Sequence, residues 1–101
     1  MAVIHQPRIA WDGARAFVRA AGSPRYDGFA ARVLSGLGSD VHADLADTRR
    51  RLLAAMAETG GDRYASDVEA GKWRVRLEDL LRSDPRHTDV VRDLTSEALE
   101  L

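Results

Sequence analysis

An all-α fold, a single-domain bundle of about five helices, is what this sequence predicts, and three observations predict it. Gly, Ser and Pro residues cut the chain into helix-length segments with little between them; large apolar residues recur at spacings of three and four within those segments; and the alternation of a half-buried strand is nearly absent. The 101 residues suit one domain, long enough to close a modest hydrophobic core without a metal or disulfide. No internal repeat, low-complexity tract or long linker divides it.

Residues 1–9 are expected to form an extended N-terminal arm, apolar at Val3 and Ile4, ahead of a bundle domain spanning 10–101. The first helix is expected over about Ala10–Ala21, with Trp11, Ala14, Phe17 and Val18 on one face and Gly22 ending it. Ser23-Pro24 reads as a cap with Pro at the first helical position, opening a second helix to about Leu37 whose stripe is Tyr26, Phe29, Ala30, Val33, Leu34 and Leu37. Gly36 to Asp40 make a turn, in which Ser39 or Asp40 can cap a third helix carrying Val41, Leu45, Thr48, Leu52 and Met56, the cleanest helical period in the chain.

Thr59-Gly60-Gly61-Asp62 closes that helix and caps a fourth over about Arg63–Arg82, with Trp73, Leu77, Leu80 and Leu81 on one stripe and Trp73 expected as the core anchor. Gly71 inside it costs about 1 kcal/mol relative to Ala, which suggests a bend or a close helix crossing. Asp84-Pro85 then stops and restarts the chain, the Asp84 carboxylate capping a fifth helix to about Leu99 with Val90, Val91, Leu94, Ala98 and Leu101 inward.

The run Trp73-x-x-Arg76-Leu77-x-x-Leu80-Leu81-x-x-Asp84-Pro85 is preceded by Leu45-x-x-Thr48-Arg49-x-x-Leu52-Leu53 and by Tyr26-x-x-Phe29-x-x-Arg32-Val33-Leu34-x-x-Leu37-Gly38. Together these segments resemble a group of small actinobacterial helical proteins that have no assigned activity, over roughly Tyr26 to Leu94. The resemblance implies an N-terminal helical module of the kind that precedes variable tails, which suits an adaptor or assembly part better than an enzyme. Trp11 and the Val3-Ile4-His5 arm fall outside it.

Composition excludes several kinds of chemistry. Fifteen basic against sixteen acidic residues give a formal net charge of −1, so no global field draws the chain to nucleic acid or an anionic membrane. The absence of cysteine removes disulfides, thiol catalysis and Cys-based metal sites, and fits a reducing compartment. With no signal-like start and no run of apolar residues long enough to span a bilayer, a cytoplasmic protein is expected, without membrane or nucleic-acid binding.

The residues that could carry chemistry read better as structure. Asp40-x-His42-x-Asp44 resembles a ligand set, but helical residues two apart point roughly 200° away from each other, so no metal site is expected there. Asp84 and His87 read as a cap beside a surface histidine. No Ser lies in a nucleophile elbow, and the Gly36/Gly38 and Gly60-Gly61 pairs lack phosphate-loop spacing. Asp47–Arg51 and Glu78–Arg82 have the favourable four-residue order of helix ion pairs. No cofactor is expected.

What remains is surface. Arg49-Arg50-Arg51 is the strongest polar oddity; consecutive helical side chains fan about 100° apart, yet the run could contact an acidic partner, assisted by Arg15 or Arg19. Leu34 to Leu52 loosely imitates a helix–turn–helix, with Asp44 and Asp47 set against the phosphates. Trp11 either folds back on the bundle or joins an exposed contact surface with Val3 and Ile4. The expected function is therefore a protein–protein interaction or assembly module, acting on another protein or a second copy of itself. The alternative is a small all-α enzyme or binder of an anionic small molecule, which two or more arginines turned inward to a common pocket would favour.

Overall fold

The computed structural model of the chain describes residues 6–59 and 63–101, and the described residues form five helices and no strand. These are α1 (Gln6–Ala21), α2 (Tyr26–Leu37), α3 (Ser39–Thr59), α4 (Arg63–Ser83) and α5 (His87–Ala98). The all-α bundle follows the sequence pattern closely, and its differences from that pattern are local.

α1 begins at Gln6 rather than near Ala10, so residues 6–9 are helical and not part of an extended arm. Pro7 falls in its first turn, where an N–H would have had no intrahelical partner, so the proline opens the helix instead of delaying it. Val3, Ile4 and His5 lie outside the described residues, as do the glycines of the α3–α4 connection.

α1 is the central helix and packs against all four others, most extensively α4 and α5. Its small residues permit this. Ala10, Ala14, Ala20 and Ala21 are fully buried together with Phe17, and a Cβ added to Gly13 would meet Leu77 Cδ1 and Val91 Cγ1 at 3.0 Å each. Trp11 leaves the predicted core face and stands 42% exposed, while Arg8, Asp12, Arg15 and Arg19 make the solvent stripe.

Phe17 meets Phe29 edge-on at 5.3 Å between ring centres and Trp73 at 5.1 Å, so the core is organised around three aromatic rings from α1, α2 and α4. Trp73, Leu77 and Leu81 are fully buried as their spacing predicts. Leu34 is not: it is 45% exposed, at the outer edge of an α2 stripe whose buried members are Phe29, Ala30, Val33 and Leu37. Gly71 marks no close crossing, since a Cβ built there meets nothing within 4 Å. The close approach lies instead at Gly36, whose added Cβ would stand 2.8 Å from Val90 Cγ1.

The helix ends use the expected residues in partly different roles. Ser23 Oγ accepts the Arg25 N–H at 3.0 Å and the Ser23 carbonyl accepts the Tyr26 N–H at 3.1 Å, so α2 starts two residues beyond Pro24. Neither Ser39 nor Asp40 occupies the cap position of α3. Gly38 does, its carbonyl accepting the His42 N–H at 3.1 Å while its own N–H bonds back to Leu34. One residue thus ends α2 and opens α3, at φ 98°, a conformation in which a side chain would be strained. Asp84 Oδ1 accepts the Arg86 N–H at 3.1 Å and makes the turn that leads into α5.

Candidate functional site

The site begins where the core ends. Trp73 donates its indole N–H to Thr48 Oγ1 at 2.8 Å, and the Thr48 hydroxyl donates to the Asp44 carbonyl at 3.1 Å. The Asp44 carboxylate pairs with the Arg76 guanidinium at 2.9 Å, and that guanidinium lies 4.7 Å over the Trp73 ring. This ring of contacts locks the middle of α3 to the middle of α4 and commits Asp44 to an ion pair. Beyond it, the last turns of α3 and the first turns of α4 line a groove with the C-terminal half of α1.

α3 and α4 are 21 residues each against 16 in α1 and 12 in α2 and α5, and their adjoining ends, around Leu53 to Met56 and Tyr64 to Val68, are largely exposed. The apolar stripe of α3 passes through Val41, Leu45 and Thr48, all buried, and then surfaces: Leu52 is half-buried and Met56 is 56% exposed. Four of the eight exposed large apolar residues among those described, Leu53, Met56, Tyr64 and Val68, sit on these two half-helices. Between them and α1 runs an open groove of about 820 Å³. Val18, Gly22, Leu52, Ala55, Met56 and Ala70 make its apolar surface, while Arg15, Arg19, Arg63 and Asp67 stand on it as charges.

Near this groove the chain buries one carboxylate. Glu69 is 3% exposed, held by Arg51 at 2.9 Å and Lys72 at 3.2 Å. Burial pushes its carboxyl up, but hydrogen bonds and charge from Arg51 and Lys72 outweigh burial and hold it below the ordinary carboxylate value. The same hydrogen bond raises Arg51 above its ordinary value.

The three residues of the arginine run all have partners within the chain, although Arg50 and Arg51 stay exposed. Arg49 donates to the carbonyls of Ala21 and Ser23, at 2.9 Å each, and stacks 4.6 Å over Tyr26, placing a cation on the last carbonyl of α1 and on the turn that follows it. Arg50 pairs with Asp47 and Arg51 with Glu69, so the expected Asp47–Arg51 pair does not form. Glu78 likewise pairs with Arg74, and Arg82 with Asp79. Trp11 is clasped between Arg15 and Arg74, whose guanidinium carbons lie 5.4 and 5.3 Å from its ring centre. Of the expected contact residues, then, Arg49 is half-buried against the end of α1, Arg50 and Arg51 are exposed and ion-paired, Trp11 is exposed beside Arg15, and Val3 and Ile4 are outside the described residues.

No group of three potential ligands gathers as a metal site among the described residues, and no helix among them is long and apolar enough to cross a membrane. Asp84 holds Arg86 at 2.9 Å, and His87 stands 3.9 Å from Asp84 with its Nδ1 buried and unbonded.

Leu52 and Met56 belong to the apolar stripe that the spacing of α3 predicts, and Arg63 belongs to no pattern in the sequence. The period of α3 says which face is apolar but not how far its neighbours extend to cover it. In comparison with known proteins, the chain matches no protein-family model, no curated protein and no solved structure.

Proposed function

We propose that this protein is a docking module, an adaptor or assembly part that engages another polypeptide through the groove between α1, α3 and α4. The single observation that carries this reading is the surfacing of the α3 apolar stripe at Leu52 and Met56, on a face that α2 and α5 do not cover. Exposed apolar surface rimmed by charge is the usual mark of an interaction site. The alternative, an anionic small molecule held by core-facing arginines, has less support. Arg49, Arg74 and Arg76 are partly buried but committed to carbonyls, Glu78 and Asp44, and the arginines of the groove stand exposed on an open rim.

The test is photo-crosslinking in the cells that make the protein. A photoreactive residue at position 56 should give a discrete crosslinked product, and one at position 99, more exposed still but beyond α5, should not. Equal yields from both positions, or none from position 56, would overturn the docking reading.

A further inference from the structure

We propose that the groove receives an acidic amphipathic helix of another protein, with its apolar stripe on Val18, Leu52 and Met56 and its carboxylates facing Arg15, Arg19 and Arg63; this rests on the docking reading above. The distribution of charge carries it. Of the fifteen basic side chains, nine pair with a carboxylate within 4.0 Å and Arg49 binds backbone carbonyls, which leaves Arg15, Arg19, Arg25, Arg63 and Arg92 without an acidic partner among the described residues. Three of these five line the one groove, opposed there only by Asp67. A nearly neutral chain has therefore gathered three of its arginines that lack an acidic partner around one apolar groove.

Spacing agrees with a helical ligand. Arg15 and Arg19 are four apart on α1, about 6 Å along the axis, which is the separation of Glu or Asp residues at i and i+4 on a helix laid beside it. Leu52 and Met56 repeat the same interval on the facing wall, so an i, i+3/i+4, i+7 apolar face can seat along α3. Arg63, at the start of α4, supplies a third cation.

Other occupants fit less well. A second copy docked by this face about a two-fold axis would bring together two patches that each carry three arginines and one aspartate, a juxtaposition of mostly like charge. A free anion would satisfy one place on the rim and leave the apolar floor in water. Nucleic acid gains little from Met56 and Leu52 and meets Asp67 in the same groove.

The experiment is a selection of displayed helical peptides on the full chain, from a library offering Glu, Gln or Lys at each flank of a fixed Leu stripe, followed by affinity titrations of the recovered sequences. Glu should dominate the recovered flanks at i and i+4. The double variant R15E/R19E, altered only at exposed positions and checked for an unchanged melt, should bind those peptides about tenfold more weakly and bind Lys-flanked versions better. M56D should weaken binding of every recovered peptide. Recovered peptides that are neutral or basic yet lose binding to M56D would overturn the acidic partner and leave the docking groove standing. No recovered peptide, or peptides indifferent to M56D, would overturn both. Undiminished binding of acidic peptides by R15E/R19E would overturn the assigned role of the arginines. Parallel titrations with inorganic phosphate and a short RNA, and sedimentation of the wild type, expose the competing occupants; tighter RNA binding, saturable phosphate binding lost in R15E/R19E, or a dimer broken by M56D would each overturn the proposal.

Discussion

Thr48 and Trp73 show how one buried hydrogen bond fixes the join of two helices. Both side chains are fully buried, and the 2.8 Å bond from the indole N–H is what lets a polar atom sit in an aromatic core. Thr48→Val removes the acceptor while keeping the shape, and should cost about 1–3 kcal/mol in urea denaturation, with Thr48→Ser recovering most of it. Trp73→Ala should cost about 3–5 kcal/mol through the cavity it leaves beside Phe17. Glu69 gives a pH signature. Its folded carboxyl lies below the ordinary value, so the stability it contributes is present at neutral pH and fades as pH drops below roughly 5, through the ordinary value and then the folded one. Glu69→Gln should therefore be less stable than wild type at pH 7, with the gap in urea midpoint closing toward pH 3; a gap that stays constant would deny the lowered carboxyl. Thr48 stood in the sequence as one member of a helical stripe, and Glu69 in no pattern at all, since period identifies a face but not the partner that makes a polar group tolerable inside.

Helices here differ in how much room they leave, and two glycines report it in opposite directions. A methyl at Gly71 meets open space within α4, so Gly71→Ala should raise stability by about 0.5–1 kcal/mol through helix propensity alone. The same change at Gly13 gains that propensity but drives a methyl to 3.0 Å from Leu77 and Val91, and should be net destabilising, as overpacking costs about 1–3 kcal/mol. Thermal melts of the two variants check both signs. In sequence the two glycines look alike: Gly71 suggests a bend or a close crossing, and Gly13 stands out in no pattern. The usable signal was the company Gly13 keeps: Ala10, Ala14, Ala16, Ala20 and Ala21 make α1 thin on most sides, as a helix that touches every other helix has to be. Ala14, Phe17 and Val18 are buried as their spacing predicts, and of that face only Trp11 turns outward.

At the scale of the molecule, the length of α3 relative to α1, α2 and α5 decides where the surface is apolar. Leu45 and Met56 belong to one stripe, yet Leu45 is fully buried and Met56 is 56% exposed. Leu45→Ala should cost about 2–5 kcal/mol, while Met56→Asp should shift the melting temperature by no more than a few degrees, since substitutions at exposed positions cost little. A large loss of stability in Met56→Asp would mean that the groove is closed in solution and is part of the core.

By itself the sequence determined the class of fold, the number and approximate bounds of the helices, and most of the buried faces of α2, α4 and α5, because helix period, glycine and proline punctuation and Ser or Asp turns act over a few residues and are written in the chain next to the structure they make. It also placed Trp73 in the core. The tertiary structure alone decided that α1 lies at the centre, that Arg49, Arg50 and Arg51 are spent on a helix end and two carboxylates, and that Arg15, Arg19 and Arg63 meet across an apolar groove. Those outcomes depend on which helices lie side by side and how far each reaches past its neighbour, distances set by packing between segments tens of residues apart, and no local spacing in the chain encodes them.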